Sequence, residues 1–145
     1  MPSKFTMSAV LGAACLAHLA IFLGCEKKNP EIPKPALDRM QTIYATFLKV
    51  TDSLGRPPKD ADEFKRALPS NVDANDLLTS PHDGKPYVLI FNVNPRVPPM
   101  SAMPPLLAYE QEGSGGMFDA VTTMGVVRCT AEDLQKMKAV TPGAR

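Results

Sequence analysis

Residues 7–24, Met7 to Gly24, form an apolar run with no Asp, Glu, Lys or Arg inside it. Lys4 stands before it, and the chain turns polar at Glu26-Lys27-Lys28-Asn29-Pro30, directly after Cys25. A basic start, an apolar middle and a small residue before an abrupt polar boundary predict an export signal over 1–24. Beyond it the pattern becomes helical. Leu37, Met40, Tyr44, Phe47, Leu48 and Leu54 recur at three- and four-residue spacing, which predicts an amphipathic helix over 36–54. Pro35 suits its first turn, Gly55 its left-handed end, and Pro57-Pro58 forbid continuation. A short second helix is predicted from Asp60 as cap and Glu63 three residues on, with Phe64, Ala67 and Leu68 facing inward before Pro69.

The period then shortens. Residues 71–78 read as one irregular turn, and Ser80-Pro81-His82-Asp83-Gly84-Lys85-Pro86 as a dense turn. Tyr87 to Val93 is the strongest strand candidate, and its apolar centre predicts a place in the middle of a covered sheet. The proline-rich stretch 94–105 excludes regular structure. Leu106 to Glu110 reads as a second strand, and Gly113 to Gly116 as a flexible connection. Met117–Thr123 and Val126–Thr130 predict a hairpin across Met124-Gly125, with a loop longer than two residues because Met in a primed turn would be strained. Thr130 caps a last helix, 131–139, with Leu134 and Met137 on one face. The predicted fold class is α+β: one long helix on a three- to four-stranded antiparallel sheet, with a short C-terminal helix. The predicted organisation is signal 1–24, proline-broken spacer 25–35, one domain 36–140 and a tail 141–145.

Cys25, preceded by Leu23-Gly24, resembles the boundary cysteine of bacterial lipoproteins, whose sulfur carries diacylglycerol after cleavage just before it. Phe22 and Leu23 depart from that family's usual Leu and small residue. An uncleaved signal anchor is the alternative, since about 18 apolar residues can span a bilayer, although His18 is costly in hydrocarbon. Plain cleaved secretion is a third reading. Cys15 leaves too short an apolar segment ahead of it and reads as a passive residue of the signal. The expected address is therefore the bacterial cell envelope, with the membrane as partner through lipid on Cys25.

Composition narrows the function classes. The whole chain has 16 Lys and Arg against 15 Asp and Glu. Loss of Lys4 with the signal would balance them, so no broad field is available for nucleic acid or an anionic surface. Cys129 is the one cysteine after Cys25, and a disulfide between the two is expected only if lipidation fails. Met40 and Met137 fit core positions, whereas Met100 and Met103, within the prolines, suit an adaptable contact surface or disorder.

Candidate chemistry is sparse. His82 and Asp83, with Asp73 and Asp76, are the clustered metal-type residues, but their spacing fits no zinc or calcium pattern and a surface turn is the expectation. Ser80, His82 and Asp83 offer a conceivable nucleophilic set, and a hydrolase around His82 and Asp83 is the third and weaker function class. Residues this near along one turn rarely reach one another in the required order, and no nucleophile elbow is present. Gly113 to Gly116 has no following Lys and no phosphate-loop context. No catalytic residue, metal, cofactor or small-molecule substrate is expected, and an envelope protein is the possible partner.

Asp52-Ser53-Leu54-Gly55-Arg56-Pro57-Pro58, followed by Leu78-Thr79-Ser80-Pro81-His82-Asp83-Gly84-Lys85-Pro86-Tyr87-Val88, resembles small lipoproteins of planctomycete-type bacteria. Those carry a Gly-x-Pro-Pro helix stop and a Ser-Pro-Arg-Asp-Gly-x-Pro-Tyr entry to a strand. The hairpin from Gly116 to Cys129 is similar to the end of prepilin-like proteins of the same bacteria. The resemblance implies the soluble part of a type II secretion pseudopilin, one helix on a small antiparallel sheet, without an enzymatic activity. A prepilin is cut before its apolar segment, which usually carries a glutamate five residues in. Here the apolar run precedes the cut and has no such glutamate, which argues against assembly into a pilus.

Overall fold

The computed structural model describes residues 31–144, so the apolar run, Cys15 and Cys25 lie outside the described residues. Four helices and four strands follow in the order α1 (Lys34–Leu54), α2 (Ala61–Arg66), α3 (Ala74–Leu77), β1 (Val88–Leu89), β2 (Leu106–Tyr109), β3 (Met117–Thr122), β4 (Gly125–Thr130) and α4 (Ala131–Val140). The strands form one antiparallel sheet in the order β1-β2-β3-β4. The fold is α+β, a long helix on a four-stranded antiparallel sheet with a short helix at the C-terminal end.

Helix α1 starts within the expected spacer, with Pro35 in its first turn, where a missing N–H costs nothing. It ends at Gly55, whose φ of 67° is the left-handed cap that glycine takes without strain. Its buried stripe is Ala36, Met40, Ile43, Phe47 and Val50, with Thr46 and Thr51 beside it. This corrects the predicted stripe. Leu54 is 49% exposed, and Leu37, Tyr44 and Leu48 lie on the margins. Both sets satisfy three- and four-residue spacing, and the position of the sheet decides between them. The hydroxyls of Thr46 and Thr51 donate back to the carbonyls four residues earlier, so these two polar residues are buried without an unmet donor.

Helix α2 has the predicted Asp60 cap, which accepts from the Glu63 N–H, while the return bond of Glu63 goes one residue earlier than in a capping box, Oε2 accepting from the Lys59 N–H. Phe64 is fully buried against Phe47, with ring centroids 5.0 Å apart. The stretch 71–78 is more regular than one turn, because Asp73 caps α3 by accepting from the N–H groups of Asn75 and Asp76.

The strand expected over Tyr87 to Val93 is corrected most. Val88–Leu89 alone makes β1, and it lies at the sheet edge. Asn92, at φ 63°, turns the chain away, and its N–H donates to Pro58 O instead of a neighbouring strand. The buried residues of this segment are Tyr87, Ile90 and Val93, an irregular spacing that anchors an edge segment to the core. In the hairpin, Thr122 pairs with Gly125 across a loop of two residues, Thr123 and Met124, shorter than expected. The strain that argued for a longer loop is avoided because the positive φ, 120°, falls on Gly125 and not on Met124. The packed part of the chain includes Thr141, 4% exposed, whose hydroxyl accepts from the Leu106 N–H and donates to Met137 O.

Sheet alternation assigns the faces. The registers set Ala108, Val121 and Val126 on one face, and Tyr109, Ala120, Val127 and Cys129 on the other. Helix α4 covers the second face, where Lys138 Nζ sits 4.2 Å from the centroid of the Tyr109 ring. Helix α1 covers the first.

Candidate functional site

The polar residues of interest lie in one row across the α1-covered face. Asp119 on β3 pairs in register with Arg128 on β4. Glu110 follows β2 directly and lies across from Asp119 on the other side: its N–H donates to Asp119 O at 3.1 Å, and its Oε2 accepts from the Asp119 N–H at 2.9 Å. The Ser80–Pro86 turn then brings His82 over the end of β2, with Nδ1 2.8 Å from Glu110 Oε1 and 3.6 Å from Asp119 Oδ2. The row reads His82, Glu110, Asp119, Arg128.

The turn's local chemistry explains how it reaches this place. Gly84, at φ 68°, closes it with its N–H on Ser80 O, and the Ser80 N–H donates to Lys85 O. Asp83 is spent inside the turn, where Oδ1 accepts from the Lys85 N–H. Arg39 of α1 ties the preceding segment down by donating to Asp76 O, Thr79 O and the Asp76 carboxylate.

Burial makes this row costly. The side chains of Glu110 and Asp119 are 1% and 0% exposed, that of Arg128 is 11%, and that of His82 is 13%. Two carboxylates opposite one another on neighbouring strands repel. Glu110 is well served, by the Ser80 hydroxyl at 2.7 Å as well as by His82 and the Asp119 N–H. Asp119 is not. Neither of its carboxylate oxygens has a hydrogen-bond partner among the described residues, and Arg128 Nε approaches Oδ1 only to 3.6 Å. Burial first, and the charge of Glu110 second, push the Asp119 carboxyl above its ordinary range, opposed by Arg128 and His82. The phenol of Tyr87, 5% exposed, is likewise pushed up by burial and then by Glu110.

Among the expected candidates, Ser80 and His82 are brought together, but not as nucleophile and base. The His82 N–H donates to Ser80 Oγ, and both side chains address Glu110. Asp83 makes no contact with the His82 ring that could orient it as a relay. The grouping of His82 and Asp83 with Asp73 and Asp76 dissolves, since Asp73 caps α3 and Asp76 pairs with Arg39. In its place, His82, Glu110 and Asp119 each offer one metal-type ligand atom, all within 4.8 Å of one another. Glu110, Asp119 and Arg128 were missed from the sequence. The available signal was a charged residue in each of three otherwise apolar strand segments.

Two shallow grooves lie elsewhere. One, of about 340 Å³, is lined by α1 and α2 around Val50, Leu54 and Arg66. The other, of about 410 Å³, lies under the proline loop, lined by Val97, Met100, Val140 and Pro142 among others. Cys129 is buried and has no disulfide partner among the described residues, and burial pushes its thiol up to about 11. No helix among the described residues is long and apolar enough to cross a membrane. No protein-family model, curated protein or solved structure matches the chain.

Proposed function

We propose that this chain is a lipid-anchored protein of the bacterial cell envelope whose folded part is a non-catalytic binding or structural module. The observation that carries the reading is the switch from an apolar run to a charged, proline-broken segment at Leu23-Gly24-Cys25. Diacylglycerol on Cys25, joined by a second acyl signal such as palmitate, would anchor the module stably where one chain alone would not. The spacer from Glu26 ends where α1 begins at Lys34, so the domain would ride close to the membrane. Binding, in this reading, falls to the proline loop. Val97 and Met100 are 53% and 102% exposed, with Val140 across the groove, and methionine among prolines gives an adaptable apolar contact for another envelope protein.

The helix-on-sheet arrangement favours a second reading, a pseudopilin-like subunit that keeps residues 7–24 as a membrane helix. Mass spectrometry of the full-length protein extracted from membranes separates the two. A thioether-linked diacylglycerol on Cys25, with residues 1–24 absent, supports the first. An intact Met7–Gly24 segment with unmodified Cys25 supports the second. If Cys25→Ser leaves membrane fractionation unchanged, the lipid anchor is refuted.

A further inference from the structure

We propose that His82, Glu110 and Asp119 bind one divalent transition-metal ion, and that the ion fastens the Ser80–Pro86 turn to the sheet. This site is independent of whether Cys25 is lipidated. The three ligands come from three separate segments, a turn, the end of β2 and the middle of β3, so an ion joining them would add a crosslink to the hydrogen bonds that already tie the turn to Glu110 and Glu110 to β3.

Geometry comes first. Ligand atoms about 2.0–2.2 Å from a zinc-type ion at tetrahedral angles sit roughly 3.3–3.6 Å from one another. His82 Nδ1 lies 2.8 Å from Glu110 Oε1 and 3.6 Å from Asp119 Oδ2, and the whole set falls within 4.8 Å. The His82–Asp119 pair already has this spacing, and side-chain rotations that move carboxylate oxygens by roughly 1 Å would bring the remaining donors to a common centre. The His82 edge, 13% exposed, gives an ion its way in.

The second observation is independent of the spacing. Asp119 is fully buried, and both of its carboxylate oxygens lack hydrogen-bond partners among the described residues, with Oδ2 directed toward His82. A buried carboxylate needs pairing, hydrogen bonds or a metal. Arg128 stands on the Oδ1 side, and Oδ2 faces His82 and Glu110, where a cation would be held by all three side chains. With a neutral imidazole, the two carboxylates and Arg128 sum to one negative charge, and a dication turns the repulsion between Glu110 and Asp119 into shared coordination.

The donors also choose among ions. One imidazole nitrogen with two carboxylates suits zinc, cobalt, manganese or ferrous iron better than calcium or magnesium, which take oxygen-only shells. Glu110 is already oriented as a ligand by the Ser80 hydroxyl and the Asp119 N–H. With the ring neutral and its Nδ1 proton shared with Glu110, that proton passes to Nε2 as Nδ1 takes the ion, so uptake switches the His82 tautomer without net proton release.

The test uses the full-length protein in mild detergent, without a polyhistidine tag, stripped with EDTA and titrated with zinc chloride and cobalt chloride. Expected are uptake of one equivalent, a raised melting temperature, and a shift of the His82 ring nitrogens on ¹⁵N NMR, with His18→Asn assigning the other histidine. Asp119→Asn and His82→Gln should each weaken zinc at least about tenfold. Should either variant fail to fold, the wild-type ring signal decides. An unmoved His82 ring after one equivalent of zinc, no stoichiometric uptake, undiminished binding in the folded variants, or an equal melting gain from calcium or magnesium would each overturn the site.

Discussion

Arg128→Met tests whether the buried row is held together by charge. Arg128 is in register with Asp119, with Nε 3.6 Å from Oδ1, and the two side chains are 11% and 0% exposed. Methionine retains much of the arginine stem's bulk, so the substitution chiefly removes the guanidinium from beside two carboxylates that already face each other. Breaking a buried pair by deleting one partner costs roughly 3–5 kcal/mol, because the remaining charge stays uncompensated. An exposed pair is worth about 0–1 kcal/mol. These ranges do not overlap, so a single measurement discriminates. Against a total stability of about 5–15 kcal/mol for a domain of this size, the loss is a large fraction, with a melting temperature lower by on the order of 15 °C or more. The assay is urea unfolding at pH 7 followed by far-UV circular dichroism, with EDTA present so that the polypeptide alone is read. The double variant Arg128→Met/Asp119→Leu should recover most of the loss, since it removes both charges and leaves an apolar pair. A loss under about 1 kcal/mol for Arg128→Met, or a double variant less stable than the single one, would refute the argument.

Three further outcomes follow from particular contacts. The Arg56 guanidinium first, and the Lys59 N–H second, hold the Glu63 carboxyl down at about 2. Because its folded value lies below the unfolded one, its stabilising contribution is present above about 4.5 and is lost as pH falls through about 2. Carboxyl ¹³C titration should find that midpoint and see it rise in Arg56→Met; an unchanged midpoint in the variant would be contrary evidence. Cys129, with its thiol at about 11, has on the order of one part in a thousand thiolate at pH 8. Alkylation read on its own peptide should be at least about a hundredfold slower in the folded protein than in urea, and equal rates would contradict its burial. At Gly113, φ is 64° and an added Cβ would sit 2.3 Å from Met117 O, whereas at Gly115, φ is 60° with open space. Gly115→Ala should cost about 1–2 kcal/mol through its backbone alone, and Gly113→Ala clearly more; equal losses in denaturant would refute the close approach.

Local signals carried the fold far in this chain. Helix ends were legible because their chemistry is contiguous: Gly55 takes the left-handed conformation directly after α1, and Asp60 before α2 and Thr130 before α4 each accept from the N–H three residues on. The edge position of β1 was not, since a run such as Val88-Leu89-Ile90 reads the same in the centre of a sheet, and the deciding event is the positive φ at Asn92. The polar row was hidden for a stronger reason. In the pairing of β2 with β3, Leu106 faces Thr122 but Ala108 faces Val121, so Leu107 is an extra, bulged residue. Continued without that bulge, the register would set Tyr109 opposite Asp119 and turn Glu110 to the other face, because a one-residue slip inverts every side chain. The bulge is therefore what brings two acids 9 residues apart into contact, and what makes a histidine 28 residues upstream their neighbour. Leu106, Leu107 and Ala108 are all fully buried at this point, so their apolar identity does not betray which of them is extra. A site whose ligands depend on that single residue could emerge only once strand register was known.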